Sequence, residues 1–113
     1  MLYKIVPAAE WREACATGRF EGSPVDRRDG FIHFSTAEQV EETAARHFAG
    51  KDDLLLVVVD ARGFGEALKW EPSRGGALFP HLYGALGTER VTHVIPLPLG
   101  PDNHHMFPPL LRD

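Results

Sequence analysis

The chain has 113 residues, 43% of them apolar and 25% charged, with a formal net charge of −4. This composition fits one globular domain, and the acidic balance argues against a general phosphate-backbone binder, which carries a basic patch. The single cysteine, Cys15, excludes an intrachain disulfide framework and a multi-cysteine metal site.

Leu2 to Val6, rich in Tyr, Ile and Val, reads as a first strand. Pro7 stops it and suits a helix start. From Ala8 to Thr17, Trp11, Ala14 and Cys15 recur at helical spacing, and Gly18 supplies the stop. Arg19 to Arg28 reads as a loop, with Gly22, Ser23 and Pro24 as turn formers. Gly30 to Phe34 is a second strand, with Ile32 and Phe34 facing one way and Phe31, His33 and Ser35 the other. A second helix is expected at once, capped by Ser35 with Glu38 or by Thr36 with Gln39. Ala37, Val40, Ala44 and Phe48 form its apolar stripe, and Gly50 ends it. A helix start directly beside His33 favours an anion there.

Leu54 to Val59 is continuously apolar, as in a central strand buried on both faces. Further short strands are expected at Leu68 to Glu71, Leu78 to Tyr83 and Val91 to Leu97, with Ser73 to Gly76 as a turn. The tail from Pro98 holds four prolines and is expected to be irregular, packed through Met106, Phe107, Leu110 and Leu111. The expectation is one α+β domain over residues 1–113, with two helices in the N-terminal half, a core over 2–97 and a tail over 98–113. The cysteine usage points to a reducing compartment. No basic start runs into a long apolar stretch as in a signal peptide, and Leu54 to Val59 is too short to span a bilayer. A cytoplasmic protein with neither a membrane nor a nucleic-acid partner is expected.

Two histidine segments carry the chemistry: Asp29-Gly-Phe-Ile-His33-Phe-Ser35 and Phe79-Pro-His81-Leu-Tyr83-Gly84. In a strand, positions i and i+2 share a face, so His33 stands beside Ser35 and His81 beside Tyr83. If the two strands line one cleft, four polar groups converge on a small-molecule ligand. Imidazoles suit proton transfer and hydrogen bonding to a hydroxyl or phosphate, and a tyrosine ring stacks on a flat ligand. Glu71 is the candidate general base that orients a hydroxyl. Arg27, Arg28 and Arg74 lie near these segments in sequence and suit an anion pocket, with solvated surface arginines as the plainer reading. Trp70 is expected in the core and Cys15 as a buried small residue. His93, His104 and His105 lack metal-ligand spacing, and no metal is expected.

These residues resemble a known family. Leu2-Tyr-Lys-Ile5, Trp11, the Asp29 to Ser35 segment, Leu55-Leu-Val-Val-Val-Asp60, Lys69-Trp-Glu71 and Phe79 to Gly84 resemble the bacterial domain of unknown function 952 over nearly the whole chain. More distantly, the order of strands and helices resembles the ADP-ribosyltransferase-like catalytic domain of the tRNA 2′-phosphotransferases. That resemblance implies a split mixed β-sheet clamping NAD. Under it His33-Phe34-Ser35 takes the place of the His-x-Ser segment. Lys4 takes a first-strand position where the enzymes hold ribose with histidine or arginine, Tyr83 stacks, and Glu71 or His81 steers an acceptor. Two functions follow. One is an NAD- or ADP-ribose-handling transferase, with His33, His81 and Glu71 catalytic and Lys4, Ser35, Tyr83 and Arg74 binding. The other, favoured by lysine at position 4, is a non-catalytic binding module for a nucleotide-like or small anionic ligand.

Overall fold

The computed structural model describes residues 1–110. The first strand β1 (Leu2–Pro7) runs straight into helix α1 (Ala8–Thr17), with Pro7 at the N-cap and Gly18, at φ 82°, closing the helix in the left-handed region. A two-residue strand β2 (Arg19–Phe20) and a short helix α2 (Pro24–Asp29) follow. Then come β3 (Ile32–His33), helix α3 (Val40–His47) and the long strand β4 (Leu54–Val59). The second half is β5 (Leu68–Pro72), β6 (Leu78–Leu82), β7 (Leu86–Gly87) and β8 (Val91–Pro96). The architecture is α+β with three α-helices rather than two.

The strands form a three-stranded sheet ordered β1-β4-β8, a pair β2-β7 and a three-stranded sheet ordered β3-β6-β5. Their pairings are antiparallel throughout, not mixed as expected. One bridge joins the two larger sheets: Tyr3 N–H donates to the Ser35 carbonyl and Ser35 N–H to the Tyr3 carbonyl, both at 2.8 Å. That bridge brings Lys4, the next residue of β1, beside β3.

The central strand β4 is packed on both sides, as its unbroken Leu/Val run requires. Leu2, Val6, Val57 and Val59 face a cluster with Trp11, Phe20, Ile32, Phe34, Leu82 and Leu86. Tyr3, Ile5, Leu54, Leu56 and Val58 face the opposite cluster with Ala37, Val40, Ala44 and Leu97. The alternation is the period of two that a strand imposes.

Several expectations are corrected. Residues Arg19 to Arg28 are not a loop; β2 and most of α2 lie there. Ser23 caps α2 through a reciprocal capping box with Asp26, and Pro24 takes the first helical position. The helix after β3 begins at Val40, so no helix start stands beside His33. Thr36 does pair with Gln39, whose Oε1 accepts the Thr36 N–H at 3.0 Å, but this closes a turn ahead of the helix. Ser35 is not its cap. Cys15 is exposed rather than buried: it stands in the last turn of α1, whose buried residues are Ala8, Trp11 and Ala14. Trp70 is 47% exposed, because β5 is an edge strand and the residue opposite Trp70 is Pro80. In the tail, Leu110 packs against the second cluster, whereas Leu111 lies outside the described residues.

Leu56 is fully buried at the centre of β4. Leu56→Ala should lower the unfolding free energy by about 2–5 kcal/mol, read as a drop in the urea midpoint at unchanged slope.

Candidate functional site

Strand pairing builds the site. β3 lies antiparallel to β6 with His33 directly opposite His81. On the other side of β6, Lys69 faces His81 and Glu71 faces Phe79. Opposed residues share a face, so His33, His81, Lys69 and Glu71 emerge on one side. Phe31 and Tyr83, just beyond the strand ends, join them. The His33 and His81 ring centroids stand 5.4 Å apart, edge to face. Phe31 lies stacked on His81 at 4.1 Å and 22°, and 4.6 Å from His33. The Tyr83 ring is 5.2 Å from Phe31.

Each histidine is backed by carboxylate. His81 Nδ1 lies 2.8 Å from Glu71 Oε1, and the Tyr83 hydroxyl donates to the same oxygen at 2.8 Å. These two bonds hold the Glu71 carboxyl below its ordinary 4.5, and the bond to Glu71 pushes the Tyr83 hydroxyl above 10.0. An ionised carboxylate only accepts, so His81 Nδ1 is the donor. His33 is held twice, with Nδ1 2.6 Å from Asp26 Oδ1 and Nε2 3.0 Å from Asp29 Oδ2.

Asp26, from α2, is the hub. It is 1% exposed, and its other oxygen lies 3.0 Å from Lys4 Nζ. It also accepts the backbone N–H groups of His33 at 3.2 Å and Ser23 at 2.9 Å. Burial alone raises its pKa. The His33 bond, the Lys4 charge and the Ser23 N–H outweigh burial and hold the carboxyl at about 2, from an ordinary 3.8. Burial in turn pulls the Lys4 ammonium below 10.5, against the opposing pull of Asp26 and Glu10. Gly22 makes room for this seat: a Cβ there would lie 2.8 Å from Asp26 Cβ.

The structure therefore brings His33, His81, Glu71 and Tyr83 together, and it turns two other candidates away. Lys4 is buried against Asp26 and donates to the His33 carbonyl at 3.1 Å, because its place on β1 faces the same side as Leu2 and Val6. Ser35 is buried, with Oγ 3.0 Å from Thr43 Oγ1. Arg27 and Arg28 are exposed; Arg27 Nε donates to the Gly22 carbonyl and Arg28 pairs with Asp29. Arg74 sits in a 3-10 turn after β5, and its side chain lies outside the described structure. Asp26 and Asp29 were not singled out from the sequence. The signal for Asp26 was Ser23-Pro24-Val25-Asp26, a helix-start pattern. Among the described residues, no group of three or more His, Cys, Asp or Glu is placed to hold a metal. A separate open cleft between α3 and the tail, lined by Glu41, Ala44, Ala49, Asn103, His104 and Phe107, shares no residue with the ring cluster.

Asp26 titrates at about 2 when folded against 3.8 when unfolded, so its pairing contributes about 2 kcal/mol at neutral pH. That contribution is present above about pH 4 and is lost as pH falls toward about 2. Urea midpoints of the wild type and Asp26→Asn should differ at neutral pH and converge in acid. Midpoints that stay equally far apart throughout would exclude Asp26 as the responsible group.

The comparisons with known proteins fit this frame. The family model described as "Protein of unknown function (DUF952)" matches residues 5–94. The crystal structure of protein CC0527 from Caulobacter crescentus is 53% identical, covering 93% of this chain and 92% of that one with a TM-score of 0.89. The solution NMR structure of CC0527 is 54% identical, covering 91% and 89% with a TM-score of 0.83. No curated protein matches. By the extent of the family match, the chain belongs to the DUF952 family.

Proposed function

We propose that this chain is a binding module for a flat, nucleotide-like small molecule, taken up among His33, His81 and Tyr83 on the face over which Phe31 lies. The observation that carries the reading is the convergence of these four rings, with centroids 4.1 to 5.4 Å apart, beside two carboxylate-backed imidazoles. Ring faces take planar ligands by stacking. A few placed polar groups on an otherwise apolar surface are what orients a small molecule. Here those groups are the Tyr83 hydroxyl oxygen and the Glu71 carboxylate. The Lys69 ammonium, 5.9 Å from the Tyr83 ring, supplies a cation at the rim for a phosphate.

Binding without turnover is favoured over transfer by Lys4 and Ser35. Lys4 is the position where the transferase resemblance places a ribose-holding residue and Ser35 belongs to its His-x-Ser segment, and both are buried and bonded within the protein. A second reading, an NAD- or ADP-ribose-handling transferase, draws on Glu71. That carboxylate is kept ionised by His81 and Tyr83 yet is 35% exposed, as a group that orients a hydroxyl nucleophile must be.

Calorimetry with adenosine 5′-monophosphate, ADP-ribose and NAD at millimolar concentration separates the readings. Saturable binding of the monophosphate is expected, weakened about tenfold or more in Tyr83→Ala by loss of stacking, with NAD left intact by mass spectrometry. Absence of heat with all three compounds would refute the binding reading, and nicotinamide release would establish the second.

A further inference from the structure

We infer that Phe31 is a built-in occupant of this face: its ring fills the slot that the ligand's flat ring takes, and it turns away about its own Cα–Cβ bond to uncover His81. The inference rests on the binding reading above. It is carried by where Phe31 lies and by what it does not touch.

The Phe31 ring lies nearly parallel to the His81 imidazole, 4.1 Å away at 22°, as a bound heterocycle would. His81 is only 4% exposed, although its neighbours on the same face, Lys69 and Tyr83, are exposed. Phe31 is its cover. Phe31 itself is half-buried and belongs to neither hydrophobic cluster, whereas Phe20 and Phe34 are buried in the first. Its ring contacts are with His33, His81 and Tyr83, the residues of the site. A phenylalanine seated on polar rings rather than in the core is displaced without opening the core.

The backbone stays in place and leaves the movement to the side chain. Gly30 closes α2 at φ 88°, and the N–H groups of Gly30 and Phe31 both donate to the Asp26 carbonyl, at 2.8 and 3.2 Å. Phe31 lies outside the β3 ladder, which begins at Ile32 opposite Leu82, so its ring turns about its own Cα–Cβ bond without breaking strand pairing. On either side the chain is anchored. Asp26 is held by Lys4 and Ser23, and His33 by Asp26, Asp29 and its register with His81. The Phe31 side chain is therefore free to leave while both imidazoles keep their places. The ligand class follows from the slot: a planar heteroaromatic ring that stacks on His81 and meets the Tyr83 hydroxyl or the Glu71 carboxylate at its edge.

An internal occupant competes with the ligand. The apparent affinity is reduced by the fraction of molecules in which the slot is open, so removing the ring should tighten binding. Adenosine 5′-monophosphate is titrated into the full chain as wild type, Phe31→Ala and Phe31→Leu, the last keeping apolar bulk without a planar ring. Binding about tenfold tighter in Phe31→Ala, with a smaller gain in Phe31→Leu and thermal unfolding that stays cooperative at a lowered midpoint, is the expected result. Equal or weaker binding in both variants, with the wild type still binding and Tyr83→Ala still impaired, overturns the occupant role and leaves the binding reading standing. Loss of folding in both variants makes Phe31 a core residue and also overturns it. No binding by any of the proteins overturns both readings.

Discussion

One buried carboxylate holds the working half of this molecule together. Asp26 is charged at a position that is 1% exposed, a placement that costs several kcal/mol unless every lone pair is used. It is used four ways: by the Lys4 ammonium, the His33 ring, the His33 N–H and the Ser23 N–H. Those partners come from β1, β3 and the start of α2, so the charge fastens three elements at one point. The dependence runs both ways. Lys4 sits on the side of β1 that carries Leu2 and Val6 into the core, and without Asp26 its ammonium would keep only the weaker pull of Glu10.

The ring face inherits its geometry from this anchor. Asp26 sets the His33 ring from one side and Asp29 from the other, while strand register sets His81 opposite. Glu71 closes the far end by accepting from both His81 and Tyr83. Counting the charges decides what such a face can attract. Asp26, Asp29 and Glu71 stand against Lys4 and, at the rim, Lys69, so the face carries no excess of positive charge. Affinity here has to come from stacking and directed hydrogen bonds more than from bulk attraction of an anion, which accords with a chain of net charge −4.

What was legible in the sequence is what depends on near neighbours. The Leu54–Val59 run declares a two-sided strand by its composition. Pro7 and Gly18 bound α1 by their own backbone preferences. The i, i+2 spacing put His33 and His81 on definable faces, and the family resemblance rested on motifs spread along the whole chain. What was hidden depends on partners far away in sequence. Ser23, Pro24 and Gly22 serve a turn as well as a helix start. A six-residue helix is not stable by local propensity, and only its tertiary contacts, Asp26 foremost, decide between the two. Lys4 alternates with Leu2 and Val6 and so was always on the inward side, but a lysine is read as outward until its counter-ion, 22 residues away, is known. Trp70 turned out exposed because β5 is the edge of its sheet, which is a property of topology rather than of any residue near it. The more distant transferase resemblance rested on strand order and a three-residue motif. Two of its ligand positions, Lys4 and Ser35, are spent on holding the fold.

The same division between anchored and unanchored groups decides which part of the face can move. Phe31 gains about 0.5–1.5 kcal/mol from each of its three ring neighbours, a total of the same order as stacking on a base. A base stacked on an aromatic side chain returns about 1–3 kcal/mol. Exchanging one ring for another on His81 is thus close to balanced, whereas moving His33 would expose Asp26 and Lys4 together. The polar half of the face is held by a charge network, whereas Phe31 is seated on three rings and lies outside both hydrophobic clusters. A surface built that way yields at Phe31 first.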